Sequence, residues 1–366
     1  MKTINGHENF RVHCTLQERM TAAGLTVDEF HKIARVSRET LGNWRRNKFK
    51  GFSTSTVGRV AGALGCGIGD LFVLLPEDIW LPIRLAKEVT IHFGSRAFTE
   101  PRPARNGDGN HVSRELMGTW DFKTFQLISE HLMRLQRDIH VKTQLHVTGP
   151  RRINDPTAHT WAERVFERGN HIFIGSPRAN GITEEVVCKA YGVAPYNPQM
   201  RGKFPYSFLW DDWREVLSSF GAQQRGKQCG ISAMPSNRIV APHVNVASGK
   251  GSDGGLILTY RVFQAPARRE SDDDDERVVI CLLGYSGPGT LATAQIATNP
   301  ECAAGLFPPA RKVPRMRAVR CKHVCEASPI PGDNREVKEA ELVPEQCTPP
   351  PASTLRAAAG GSRRGR

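Results

Sequence analysis

The chain has 366 residues, 39% of them apolar and 7% aromatic, with a formal net charge of +13 and a pI near 9.5. That length accommodates two domains, the low aromatic content leaves part of it as loop or tail, and the charge favours a polyanion, either nucleic acid or an acidic membrane face. No run of 18 apolar residues occurs, which argues against a membrane-spanning helix, and MKTINGHENFRVHC lacks the apolar centre of a signal peptide, so a cytoplasmic location is expected.

Residues 1–11 read as a polar N-terminal arm, and residues 12–76 as a domain of five short helices. In the first helix, Val12 to Ala23, residues Leu16, Met20 and Ala23 share one face, and Gly24 ends it. Thr26 and Glu29 have capping-box spacing ahead of Val27, Phe30, Ile33 and Ala34. Ser37 is placed to cap a third helix that buries Leu41 and Trp44. Ser53 or Thr54 opens a fourth, with Val57, Val60, Ala61 and Leu64 inward, and Ile68 to Leu75 forms the last before Pro76.

The pair from Leu25 to Phe49 is a helix-turn-helix pattern, whose second helix can enter a major groove with its exposed first turn. Ser37, Arg38, Glu39 and Thr40 occupy that turn, and Asn43 follows on the same exposed face. Arg can bond guanine and Asn adenine, so these are candidate base readers. Arg45, Arg46, Lys48 and Lys50 come next as candidate phosphate contacts. Residues 12–76 resemble the Cro/C1-type (XRE family) helix-turn-helix domain, through Thr26, Glu29, Phe30, Val36-Ser37, Thr40-Leu41, Ala61, Ala63-Leu64 and Asp70-Leu71-Phe72. The resemblance implies operator binding to double-stranded DNA, as a homodimer. Four positions depart from the family pattern. His31 replaces a small residue, Arg35 a turn glycine, Val27 a phosphate-contacting glutamine and Arg45 a structural glutamate.

Residues 77–119 read as a linker holding one strand, Val89 to Phe93, and the loop TEPRPARNGDGNH. A strong amphipathic helix, Phe122 to Ile139, leads into a period-two strand through Val147. Strands and helices then alternate: helix from Pro156, strand at His171, helix from Ile182, strand at Tyr206, helix from Trp213, strands at Leu256 and Val278, helix from Thr290. This predicts a Rossmann-like α/β domain over residues 120–302, built on a mostly parallel sheet. PARRESDDDDE reads as a solvated loop within it, and residues 303–366, rich in Pro, Arg and Ala, as a largely disordered tail.

Two glycine-rich turns follow apolar strands. In HIFIGSPRANGITE, Gly175, Ser176, Arg178, Asn180 and Thr183 line a strand–loop–helix junction suited to an anion. The string is similar to the phosphate loop of NADPH-dependent FMN reductases, which implies a flavin or another phosphate-bearing ligand there; a structural turn is the plain alternative. In VVICLLGYSGPGTLATAQIA, Gly284, Ser286, Gly287, Gly289 and Thr290 form a second such turn, expected at the same carboxyl edge of the sheet. GKGS at 249–252 lacks the upstream glycine of a P-loop. The nine cysteines read as reduced thiols, and Cys321, His323 and Cys325 lack a second ligand pair for a metal. These features predict a sequence-specific transcriptional regulator with a C-terminal sensing or dimerisation domain, to which Trp120–Ile139 contributes. The alternative is an enzyme acting on a nucleotide or a flavin or nicotinamide substrate, with Asp155, Glu184, Glu185 and Asp211 as candidate acids.

Overall fold

The computed structural model describes residues 10–49, 51–101, 111–117, 119–147, 163–167, 169–178, 180–211, 218–223, 227–245, 249–263, 276–308, 313–325 and 335–344. They divide into two units, the first ending at Leu81 and the second beginning at Pro82.

The first unit contains β1 (Phe10–Cys14), α1 (Leu16–Ala22), α2 (Val27–Ala34), α3 (Arg38–Arg45), α4 (Thr54–Leu64), α5 (Ile68–Leu71) and β2 (Phe72–Pro76). Leu16, Met20, Phe30, Ala34, Leu41, Trp44, Val57, Val60, Ala61 and Leu71 form its core. Each of the larger side chains contributes about 1.5–3 kcal/mol by leaving water. The capping box at α2 forms as its spacing predicts: Glu29 N donates to Thr26 Oγ1, and Thr26 N donates to Glu29 Oε2 at 2.8 Å.

Two helix ends differ from the sequence reading. The helix expected from Val12 begins only at Leu16, and the one expected through Leu75 stops at Leu71. The residues released pair instead as an antiparallel ladder, with Val12 opposite Leu74. That ladder gives Phe72–Leu75, led by the β-formers Phe72 and Val73, the partners a short helix lacks. Ile33, expected inward, is 55% exposed.

The second unit holds, in chain order, α6 (Leu81–Ala86), β3 (Glu88–Pro101), β4 (His111–Met117), α7 (Thr119–Leu135), β5 (His140–Val147), β6 (His171–Ile174) and α8 (Gly181–Tyr191). It continues with β7 (Tyr206–Trp210), β8 (Gly221–Gln223), β9 (Gly230–Ala233), β10 (Arg238–Pro242), β11 (Gly249–Phe263) and β12 (Glu276–Gly284). The last elements are α9 (Gly287–Thr298), α10 (Pro300–Leu306), β13 (Arg315–Cys325) and β14 (Arg335–Leu342). The large sheet runs β14-β13-β11-β12-β6-β3-β4, with β5 also paired to β3. A smaller sheet, β10-β9-β7-β8, shares a core with one of its faces: Phe208, Trp210 and Ile231 pack with Leu256, Val279 and Leu283.

The large sheet is mixed, not mostly parallel. The pairs β5–β3, β3–β6 and β6–β12 are parallel, while β12–β11, β11–β13, β13–β14 and β3–β4 are antiparallel. Antiparallel neighbours need no helical crossover, and that is why helix–strand alternation misread this half. The expected linker 77–119 supplies β3, at the centre of the parallel strands, and β4. The expected tail supplies β13 and β14. In RMRAVRCKHVC the buried Met316, Ala318, Cys321 and His323 sit among arginines and lysines, whose charge hid the strand. The loop at 102–110, the acidic run at 266–275, most of the helices expected from Pro156 and Trp213, and residues 345–366 lie outside the described residues.

Asn170 fastens the starts of three strand segments. Its Nδ2 donates to the carbonyls of Pro82 and Glu88, and its Oδ1 accepts from Val278 N at 2.9 Å. On the sheet, α9 lies so close that a Cβ on Gly289 would stand 2.1 Å from the Gly254 carbonyl oxygen. A Cβ on Gly287 would meet the Trp120 ring of α7 at 2.1 Å. GKGS begins β11 as plain strand, and the eight cysteines among the described residues are free thiols.

Candidate functional site

In the first unit the exposed end of α3 is built from polar and charged groups. Ser37 caps the helix, accepting from Thr40 N at 3.1 Å, and Ser37, Arg38 and Glu39 are exposed, with Thr40 and Asn43 half-buried. The turn before it is held by two of the residues that depart from the family pattern. Arg35 takes a left-handed conformation (φ 52°), and its carbonyl accepts from Arg59 Nη1 at 2.8 Å. His31 Nδ1 lies 2.7 Å from the Val36 carbonyl oxygen and donates to it. Arg45, where the family has glutamate, bonds Gln17 of α1 through its Nε.

Beyond α3, Trp44 packs edge-on against Phe72 at 5.4 Å and Phe52 at 5.9 Å, and Phe49 lies 5.1 Å from Phe52. These rings pin the loop that presents the exposed Arg46 and Lys48. Lys50 lies outside the described residues. Arg38 is engaged: its Nε meets Asp28 Oδ1 at 2.9 Å, a contact between two exposed side chains that a base or phosphate can displace. Asn43 Oδ1 accepts from Arg46 Nη2 at 3.3 Å. The arrangement offers cations and hydrogen-bonding groups along one rigid helix and the loop after it.

In the second unit β6 and β12 are parallel neighbours, so the loops after them leave the same sheet edge, as expected from sequence. Gly175 N donates to the Leu282 carbonyl at 3.0 Å, tying the loops at their origin. The second loop is closed by the protein itself. The fully buried Asp253 of β11 accepts from Ser286 Oγ and from Gly289 N (2.9 Å) through Oδ2. Its Oδ1 accepts from Gly254 N at 2.9 Å and from His243 Nδ1 at 3.1 Å. Thr290 N and Oγ1 both donate to the Ser286 carbonyl. A carboxylate thus already occupies the anion position at the start of α9.

The first loop is different. Thr183 Oγ1 is spent on the Gly175 carbonyl at 3.3 Å, and Ser176 is buried. Asn180, the N-cap of α8, makes no side-chain capping bond; it is fully buried, and among the described residues neither its Oδ1 nor its Nδ2 has a partner. Arg178 stands 6.0 Å from the Trp210 ring. Tyr285, from the second loop, stacks on His243 at 4.4 Å, and its hydroxyl accepts from Asp211 N. Burial pushes the Tyr285 phenol up to about 12, against the pull of the Arg178 charge. Of the candidate acids, Glu184 is structural: it accepts from Ser218 Oγ, Ser219 N and Tyr196 N, and burial raises its carboxyl pKa. Asp155 lies outside the described residues. The residues that sequence reasoning missed, His243, Asp253 and Tyr285, carry no local motif; only the strand pairing assembles them.

Among the described residues no group of three His, Cys, Asp or Glu side chains is arranged to hold a metal ion, and no helix is long and apolar enough to cross a membrane. Residues 15–77 match the family model of the Cro/C1-type HTH DNA-binding domain, and the C-terminal part has no family match. No curated protein matches the chain.

Proposed function

From a Cro/C1-type helix-turn-helix at its N-terminus, we propose that the protein is a cytoplasmic, sequence-specific transcriptional regulator that binds duplex DNA as a homodimer. The observation that carries this reading is the capped, exposed first turn of α3, with Ser37, Arg38 and Glu39 beside the exposed Arg46 and Lys48. Arg38, Glu39 and Asn43 read base edges. Arg46, Lys48 and Lys50 hold phosphates and set the register of the helix. Arg45 supports the scaffold through Gln17. The basic charge of the chain adds attraction that any DNA sequence shares.

In this reading the C-terminal unit senses a small phosphate-bearing effector, dimerises, or does both. The parallel neighbours β5, β3, β6 and β12 support a Rossmann-like reading of that unit, and ligand occupancy biases the arrangement of two recognition helices. Selection of bound fragments from random duplex DNA tests the proposal. A palindromic motif with half-sites one helical turn (about 34 Å) apart is the expected result; no enriched sequence rejects base reading, and a single unrepeated half-site rejects the dimer. The enzyme alternative draws on one observation, the His243–Asp253 pair, which resembles an oriented general base. Turnover of NAD, ATP or flavin by the purified protein decides in its favour.

A further inference from the structure

The sheet edge formed by the β6 and β12 loops holds one anomaly that the fold itself does not account for. Asn180 is fully buried and, among the described residues, both its amide atoms are unpartnered, at the start of an eleven-residue helix. Buried side-chain amides nearly always have partners, and an N-cap asparagine ordinarily takes a first-turn N–H. The Asn180 side chain takes none; among the first-turn amides Thr183 N donates to the Asn180 carbonyl at 3.1 Å instead. The neighbouring loop cannot explain this by analogy, because there Asp253 from within the chain fills the equivalent place.

Three further features bear on the same edge. Arg178, two residues before Asn180, stands 6.0 Å from the Trp210 ring, and the next residue, Asp211, donates its N–H to the Tyr285 hydroxyl. Tyr285 stacks on His243. His243 is fixed through Nδ1 by the buried Asp253, and among the described residues nothing bonds its Nε2.

We propose that this edge binds a phosphorylated nucleoside, with the Asn180 amide as the group that recognises it. The helix N-terminus and Arg178 take the phosphate. The Asn180 amide presents a donor and an acceptor side by side, the pattern that matches a nucleobase edge or a sugar hydroxyl and that a bare phosphate, all acceptor, cannot satisfy. His243 Nε2 supplies a further polar contact. Asp253 and Ser286 are positioning residues, holding His243 and the second loop. This inference rests on the proposed reading of the C-terminal unit as a sensor and gives its ligand a chemical class.

The test uses the full chain. AMP, NAD and inorganic phosphate are titrated by calorimetry, and the thermal midpoint is followed in parallel. At least one nucleotide binds at least tenfold more tightly than inorganic phosphate. Asn180→Leu, similar in shape, loses at least tenfold in nucleotide affinity while its unliganded midpoint stays level or rises, because an amide without partners has been removed. Arg178→Gln, at a partly exposed position, weakens nucleotide and phosphate alike, and it serves if Asn180→Leu fails to fold. The proposal is overturned if neither nucleotide binds at millimolar concentration, if phosphate binds as tightly as both, if Asn180→Leu binds as the wild type does, or if its unliganded midpoint falls. A structural role for the amide gives that last outcome. DNA affinity measured with and without nucleotide fails or succeeds separately: nucleotide binding with unchanged DNA affinity keeps the site and rejects only the regulation.

Discussion

Asp253→Asn replaces one atom of a fully buried side chain and should be costly. The carboxylate receives two donors on each oxygen: His243 Nδ1 and Gly254 N on one, Ser286 Oγ and Gly289 N on the other. An amide can turn its NH₂ to either side, and each choice faces a backbone N–H that cannot rotate away. Stranding one buried donor costs about 1–3 kcal/mol. The two bonds on the remaining oxygen lose their ionic acceptor, and charged bonds exceed neutral ones by roughly 1 kcal/mol each. Ser286 can rotate its hydroxyl to accept, which recovers part of this. The expected loss is about 2–4 kcal/mol, read as a shift in the denaturant midpoint at unchanged slope. A change below about 0.5 kcal/mol, the ordinary size for a surface substitution, would refute the view that Asp253 closes the start of α9.

Arg35→Gly should stabilise the first unit by about 1 kcal/mol, because a side chain in the left-handed region is strained and the Arg59 bond goes to the Arg35 carbonyl, which glycine keeps; thermal unfolding of the variant measures it, and a lower midpoint counts against it. Lys48→Ala should weaken binding to all duplexes and lower the slope of log K against log salt by about one. An intact slope removes Lys48 from the phosphate contacts. Acidification should destabilise the second unit through its histidines. His92 Nδ1 lies 2.8 Å from His146 Nε2, and His92 Nε2 lies 2.9 Å from His171 Nδ1, a chain across β5, β3 and β6. Burial holds His92 well below the usual histidine range, while His146 and His131 are lowered to about 4. The unfolded chain takes up protons near pH 6.5 and the folded one does not until far lower. Stability is therefore full above about pH 6.5 and falls from there towards pH 4. The slope should flatten in His92→Phe, and a wild-type midpoint level between pH 7 and 5 counts against the buried chain.

The helical unit was legible because its signals are local. Thr26 and Glu29, Ser37 and Thr40, and Leu41 and Trp44 meet within a turn or two of chain, so spacing alone specifies their contacts. The exceptions, β1 and β2, bring together residues about sixty positions apart, and each was read as the end of a helix. In the second unit the loops at Gly175 and Gly284 could be placed on a common edge because strand, glycine turn and helix follow in order. Their roles could not be told apart, since Asp253 and His243 reach them from β11 and the end of β10. β13 was missed although MRAVRCKHV alternates, because alternation with arginine and lysine outward matches the composition of a basic tail as well as that of a strand.

The pairing of β1 with β2 means that the family match, which begins at residue 15, is shorter than the folding unit. A fragment cut at that boundary leaves the backbone groups of Phe72–Pro76 without a ladder and lays bare an apolar edge that includes Leu74, a template on which two molecules can add strands to one another. An excised DNA-binding domain therefore has to start ahead of Phe10 and run through Pro76. During synthesis the same constraint delays its completion until Pro76 has left the ribosome, when β1 at last meets its partner.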